Sequence, residues 1–244
     1  PRDPGDVDWH KRKFGMNGMR CSTPQMRTWL LPLTAAIWNQ AVYYGGGWLA
    51  QERYHHDWTL LIDRAIPFLP WTVSIYLLCF LFWAGSYVLS ARQKKLLAYR
   101  FFCADFLAKA VCLVCFLLLP TTNVRPAVEG NGLWEGLVRF LYQVDAPVNL
   151  FPSVHCLVSW LCWIGVRERE DIPRWYRYFS FWIAVAICLS TLTTKQHVIV
   201  DVAGGIALAE ASWWAAGLEP VFRKYAQTAD RFSRRIAHVL PVRE

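Results

Sequence analysis

The sequence predicts an all-α protein, a polytopic membrane bundle of six transmembrane helices, on three observations. Hydrophobic residues make up 55% of the 244 positions and charged residues only 18%, against about 25% charged in a soluble domain. Six stretches are apolar over something near the twenty or so residues that a helix needs to cross the hydrocarbon core. The basic residues between those stretches cluster on alternate loops, the pattern that orients a membrane protein.

Residues 1–27 form a polar N-terminal arm with Arg2, Lys11, Arg12, Lys13, Arg20 and Arg27. The first residue is Pro, and no signal-like apolar core with a cleavage site precedes Trp29, so the segment from Trp29 reads as a retained first span. That span, 28–49, is weakened by Asn39 and the Gly45-Gly46-Gly47 run. The others are 68–90, 99–119, a short one at 152–166, then 175–193 and 197–217, so that 28–217 is one six-span catalytic membrane domain. Residues 218–244 form a basic cytoplasmic tail. In span three, Asp105 and Lys109 are spaced i, i+4 for an intrahelical ion pair. In span six, Gly204-Gly205 offers a small surface for close helix packing.

The loops complete the topology. Arg92, Lys94, Lys95 and Arg100 follow span two, and Arg167, Arg169, Arg174 and Arg177 follow span four. Arg223, Lys224, Arg231, Arg234, Arg235 and Arg243 lie in the tail. In a six-span layout all these clusters and the N-terminal arm share one side, so both termini are expected in the cytoplasm of a plasma membrane. The opposite loops hold only Arg53, Arg64, Arg125, Arg139 and Lys195. Loop 50–67, with Trp58, Ile62 and Ile66, should lie along the interface. Loop 120–151 is punctuated by Pro and Gly, with a short amphipathic helix near 132–143. The net charge of +8 sits in clusters between apolar runs, which points to membrane lipids as partners and to no nucleic acid. Seven of the eight cysteines lie in apolar runs and the Cys112/Cys115 pair has no second pair to match it, so no metal site is read from them.

Three segments carry the chemistry, and all fall at the outer ends of spans: P-T-T-N-V-R-P at 120–126, F-P-S-V-H at 151–155, and S-T-L-T-T-K-Q-H-V-I-V-D at 190–201. His197 and Asp201, four apart, should project from one face at the start of span six, where the carboxylate orients the imidazole. Ser153 and His155 follow Pro152 at the start of span four. Free N–H groups there favour an anion, the serine can donate to it, and the histidine can protonate a departing oxygen. Arg125 offers a fork that holds two phosphoryl oxygens. Lys195, the one basic residue of its loop, could meet either phosphate or anionic lipid.

These segments resemble the three signature motifs of the type 2 phosphatidic acid phosphatase superfamily, K-x6-R-P, P-S-G-H and S-R-x5-H-x3-D. Three positions depart from the pattern: Leu118 stands for the lysine, Val154 for the glycine and Thr191 for the arginine. The F-P-S-x-H form is similar to the branch that contains the inositol phosphorylceramide synthases. The resemblance implies a phosphatase acting on a lipid phosphate or pyrophosphate monoester, with a phospholipid or isoprenoid phosphate as substrate, at the outer membrane face. It implies a reaction with no metal and no cofactor. His197 would form a phosphohistidine with Asp201 orienting it, His155 would serve as acid and then base, and Arg125, Ser153 and Lys195 would hold the phosphoryl oxygens. Transfer of a phospho-headgroup to an alcohol acceptor is the alternative outcome of the same first step.

Overall fold

A computed structural model describes residues 29–239, and the chain is mostly helical over that range. The basic arm at 1–27 and the last five residues of the tail lie outside the described residues. Helix α1 (Leu30–Gln40) passes through a π-helical turn (Ala41–Gly45) into α2 (Gly46–Ala50). The glycine run therefore does not end the first helical segment; the chain accommodates it by a wider turn, as such bulges do. Then come α3 (Leu61–Ala65), α4 (Val73–Ala91) entered through the 3₁₀ turn Pro70–Thr72, and α5 (Lys95–Leu118). Helix α6 (Leu133–Val144) follows in the long loop, and α7 (Val154–Arg167), α8 (Arg174–Thr193), α9 (Ile199–Ala215) and α10 (Glu219–Val239) complete the described chain.

Among the described residues, two helical segments are long and apolar enough to cross a membrane, Pro70–Ala91 and Lys95–Leu118. Helices α9 and α10 pass the same test as a pair but are bent by 85° at their junction. Helix α7 is apolar but has only 14 residues. Its shortness has a structural reason. It packs against α4, α5, α8 and α9, and Val154, Leu157, Val158, Leu161, Cys162, Ile164 and Val166 are buried around it. A helix apolar on nearly every side and enclosed by neighbours is a core helix. The outer helices show the complementary pattern: Ile37, Trp48, Leu81, Val114, Trp182 and Leu189 are exposed. An apolar outer girdle of this size suits contact with hydrocarbon.

Local details agree with the sequence at several points. Lys109 Nζ lies 2.8 Å from the Asp105 carboxylate, and both are buried. The amphipathic helix of the long loop is α6. Of the seven described cysteines, six are buried and Cys115 is half-buried, as suits thiols in apolar runs. One feature departs from an all-α reading: His56–Asp57 (β1) pairs in parallel with Thr121–Thr122 (β2), tying the two loops of the site end together.

Basic residues mark the other end of the bundle. Arg100 Nη2 donates to the Trp213 carbonyl at the far end of α9, 3.3 Å away, and Lys95 pairs with Asp230 of α10 at 2.8 Å. Helices α7 and α9 meet closely where Gly205 faces the start of α7. A methyl group there would lie 2.6 Å from the Ser153 carbonyl oxygen and 3.1 Å from the Leu157 nitrogen. Gly205→Ala should therefore push α7 and α9 apart and lower stability by about 1–3 kcal/mol. Thermal unfolding in detergent checks this, with Gly85→Ala, which meets nothing within 4 Å, as the neutral control.

Candidate active site

The end of α8 builds the first half of the site. Lys195 adopts a left-handed φ of 56°, and the Gln196 and Lys195 N–H groups donate back to the carbonyls of Thr191 and Leu192 at 2.9 and 3.1 Å. This is a Schellman-type helix end, with lysine where glycine is usual. The His197 N–H also donates to the Thr191 carbonyl at 3.1 Å, so the turn delivers His197 directly. Sequence spacing placed His197 on the following helix, but α9 starts only at Ile199. His197 still meets Asp201 because the carboxylate folds back over the helix start. Asp201 Oδ2 accepts from the Val198 N–H at 3.0 Å and lies 3.3 Å from His197 Nδ1. An acid in the first turn of a helix also suits the positive end of its dipole.

The start of α7 supplies the second half. Ser153 caps the helix, its Oγ accepting from the Cys156 N–H at 3.3 Å, and its own N–H donates to the Asp201 carbonyl at 3.1 Å. Pro152 thus precedes the cap and lies outside the helix. The backbone bond joins the second and third motif segments directly. Ser153 is fully buried, and its hydroxyl hydrogen stays available to donate. His155, one residue inside α7, faces His197 with ring centroids 5.8 Å apart. Tyr76 and Trp83 of α4 pack on its other faces, at 4.5 and 5.4 Å.

Arg125 reaches the first half, at Gln196, from the long loop. Its guanidinium donates to the Asp145 carbonyl and to Gln196 Oε1, and lies 4.8 Å above the Tyr142 ring. Its Nε is buried without a partner in the protein. Burial holds its pKa below the ordinary guanidinium value while the Asp145 carboxylate pulls the other way; it stays a cation. Burial also pushes the Tyr142 phenol up to about 12, so it remains protonated and donates to the Thr194 carbonyl at 2.8 Å.

Lys195 sits two residues before His197 in the same turn. Its ammonium donates to the carbonyls of Asp63 and Ile66 at 2.9 and 2.6 Å, which leaves one of its three donors unused. Partial burial lowers its pKa. Lys195 and His197 share a cavity of about 520 Å³ with Arg64, Asp63 and Asn123. Arg64 was read from the sequence only as a loop charge, yet it brings a second cation to the cavity. The positions that depart from the motifs are otherwise occupied. Leu118 is exposed at the end of α5, and Thr191 is buried with its hydroxyl donating to the Cys188 carbonyl at 2.7 Å.

Sequence reasoning also missed Asp63, Gln196, Tyr76 and Asp145. Asp63 is buried; its Oδ2 accepts from its own helix start at Leu60, and its Oδ1 from the Ile199 N–H of α9, both at 2.8 Å. It thereby pins the segment 60–66 beside His197. Nothing in the sequence separates it from the exposed acids Glu52 and Asp57 nearby. Asp63→Ala should destabilise the protein by about 1–2 kcal/mol, because two partly buried N–H groups lose their acceptor; a lowered thermal midpoint together with earlier proteolysis of loop 60–66 is the expected result.

With the geometry established, comparison with known proteins finds a family model described as the PAP2 superfamily that matches residues 49–215. The matched region runs from the end of α2 to the last residue of α9 and contains each of the three site segments. No curated protein and no solved structure matches the chain.

Proposed function

The chain belongs to the PAP2 superfamily, and from that premise we propose that it is a membrane phosphatase. It acts on a lipid phosphate or pyrophosphate monoester through a phosphohistidine on His197. The observation that carries this reading is the pair of imidazoles 5.8 Å apart, one of them held by a buried carboxylate. With Nδ1 turned to Asp201, His197 has Nε2 free to attack phosphorus, and Asp201 stabilises the cation that forms. The bond from phosphorus to the ester oxygen breaks as His155 gives that oxygen a proton. His155 then takes a proton from water, which attacks the phosphohistidine and returns His197 and inorganic phosphate.

The remaining residues hold charge in place. Arg125 and Ser153 bind phosphoryl oxygens, with Lys195 and Arg64 adding positive charge at the cavity wall, where negative charge builds in the transition state. The chain is read as six spans with both termini cytoplasmic and the site on the outer face of a plasma membrane. Supporting this, the site segments gather at one end of the bundle and Lys95 and Arg100 at the other. Phospholipid and isoprenoid phosphates are the substrates that such a site would reach. No metal is required by this chemistry.

Transfer to an alcohol is the second reading, favoured by Val154 in the glycine position of F-P-S-V-H. It shares the first step, and the acceptor alone differs.

Phosphate release by purified protein from a panel of lipid phosphates tests the reading. Activity should survive chelators, and His197→Ala and His155→Ala should each abolish it; turnover retained in His197→Ala would sink the mechanism. Adding diacylglycerol, inositol or amino-alcohol acceptors separates transfer from hydrolysis. Arg64→Gln should raise KM several-fold, corresponding to about 1 kcal/mol for an exposed charge contact, with kcat changed less.

A further inference from the structure

A carboxylate close to a phosphate site works against it, because like charges repel. Asp145 is such a group. It follows the last residue of α6 and interacts electrostatically with Arg125, His155 and His197. It does not serve as the ion-pair partner of Arg125, whose hydrogen bonds go to the Asp145 main-chain oxygen and to Gln196. Its two carboxylate oxygens instead face two tyrosines. Tyr43, in the π-helical turn after α1, donates to Oδ1, and the Tyr76 hydroxyl lies 3.4 Å from Oδ2.

Tyr76 leads on to His155. Its hydroxyl is 3.5 Å from His155 Nδ1, its ring packs on the imidazole, and it is 1% exposed. Among the described residues it is the one side-chain polar group within hydrogen-bond distance of His155. The other groups facing that imidazole are Trp83 and Phe80 of α4, and His197 across the site. Contacts of this length are common before substrate binds and tighten in the reacting complex.

Resting on the phosphoryl-transfer reading above, we propose that Tyr76 and Asp145 are positioning residues for His155, parallel to Asp201 for His197. Nδ1–H of His155 donates to the Tyr76 oxygen, and the Tyr76 hydroxyl donates to Asp145 Oδ2. This tautomer leaves Nε2 facing the ester. When Nε2 carries the proton destined for the leaving oxygen, the Asp145 charge stabilises the imidazolium through the phenol. The two tyrosines engage both carboxylate oxygens of Asp145, which limits its repulsion of the substrate.

Leaving-group dependence tests this, since only a poor leaving group needs a proton. The first half-reaction is measured in a single turnover for a short-chain alkyl phosphate monoester and for p-nitrophenyl phosphate, whose phenolate departs unprotonated. In Tyr76→Phe and Asp145→Asn the alkyl ester should react on the order of tenfold or more slowly, below the roughly 10²–10⁴-fold that a whole general acid supplies. KM should stay within about twofold, and p-nitrophenyl phosphate should react at close to the normal rate. His155→Ala should show the same selectivity more strongly. Equal slowing of both esters would assign these residues to phosphate binding or to the fold and overturn the proposal, as would no slowing of either. Tyr76→Phe loses a single oxygen and carries the test alone if Asp145→Asn does not fold. Absence of any phosphohistidine in the wild-type protein would overturn the underlying reading; selective effects with a normal wild-type intermediate bear only on this pair.

Discussion

The Asp201 carboxylate is 1% exposed, and a buried acid in an apolar bundle is costly unless its oxygens are satisfied. Its Oδ2 meets both the Val198 N–H and His197 Nδ1, while its main-chain oxygen accepts from Ser153. One residue therefore caps α9, orients one histidine and ties down the start of the helix that carries the other. The close approach of α7 and α9 at Gly205 is what makes the Ser153 link possible. Any change that separates these two helices also separates the histidines. Fold and site are coupled through this contact, and the site cannot be loosened alone.

The second constraint is charge. Relative to the family pattern the chain lacks two cations, at Leu118 and Thr191, and the structure shows what surrounds His197 in their absence. Lys195 and Arg64 line the cavity beside it, and Arg125 is tied to the neighbouring Gln196. The segment that carries Arg64 is fastened by Asp63 to the first turn of α9 and by its carbonyls to Lys195. The lysine is thus partly a structural clasp. It holds the loop and leaves one donor for an anion, so the two roles weighed from the sequence are joined by a third.

Much of this was legible in the sequence because helices and motifs are local. Apolar runs marked the helical segments, and the i, i+4 spacing of Asp105 and Lys109 foretold their ion pair. His197 and Asp201 were recognisable as a pair, although a turn and not a helix brings them together; spacing alone cannot distinguish the two because a carboxylate at the third position of a helix folds back on its start. Helix α7 looked short for a span because its setting, enclosed by four helices, is a tertiary property. Asp63, Tyr76 and Asp145 were illegible for the same reason. An acid in a loop carries no mark of burial, and Tyr76 lies in an apolar run where aromatic residues are ordinary. Their partners are 136, 79 and 102 residues away in the chain.

The central claim is that His197 is the nucleophile and that its partners exist to serve it. Its most direct test is to quench a single turnover with alkali, where phosphohistidine survives, and to map the phosphorylated peptide by mass spectrometry. The account predicts phosphate on His197, accumulating in His155→Ala when a nitrophenyl ester is supplied, and none in His197→Ala. Phosphate on His155, or turnover with no phosphorylated residue, would contradict it.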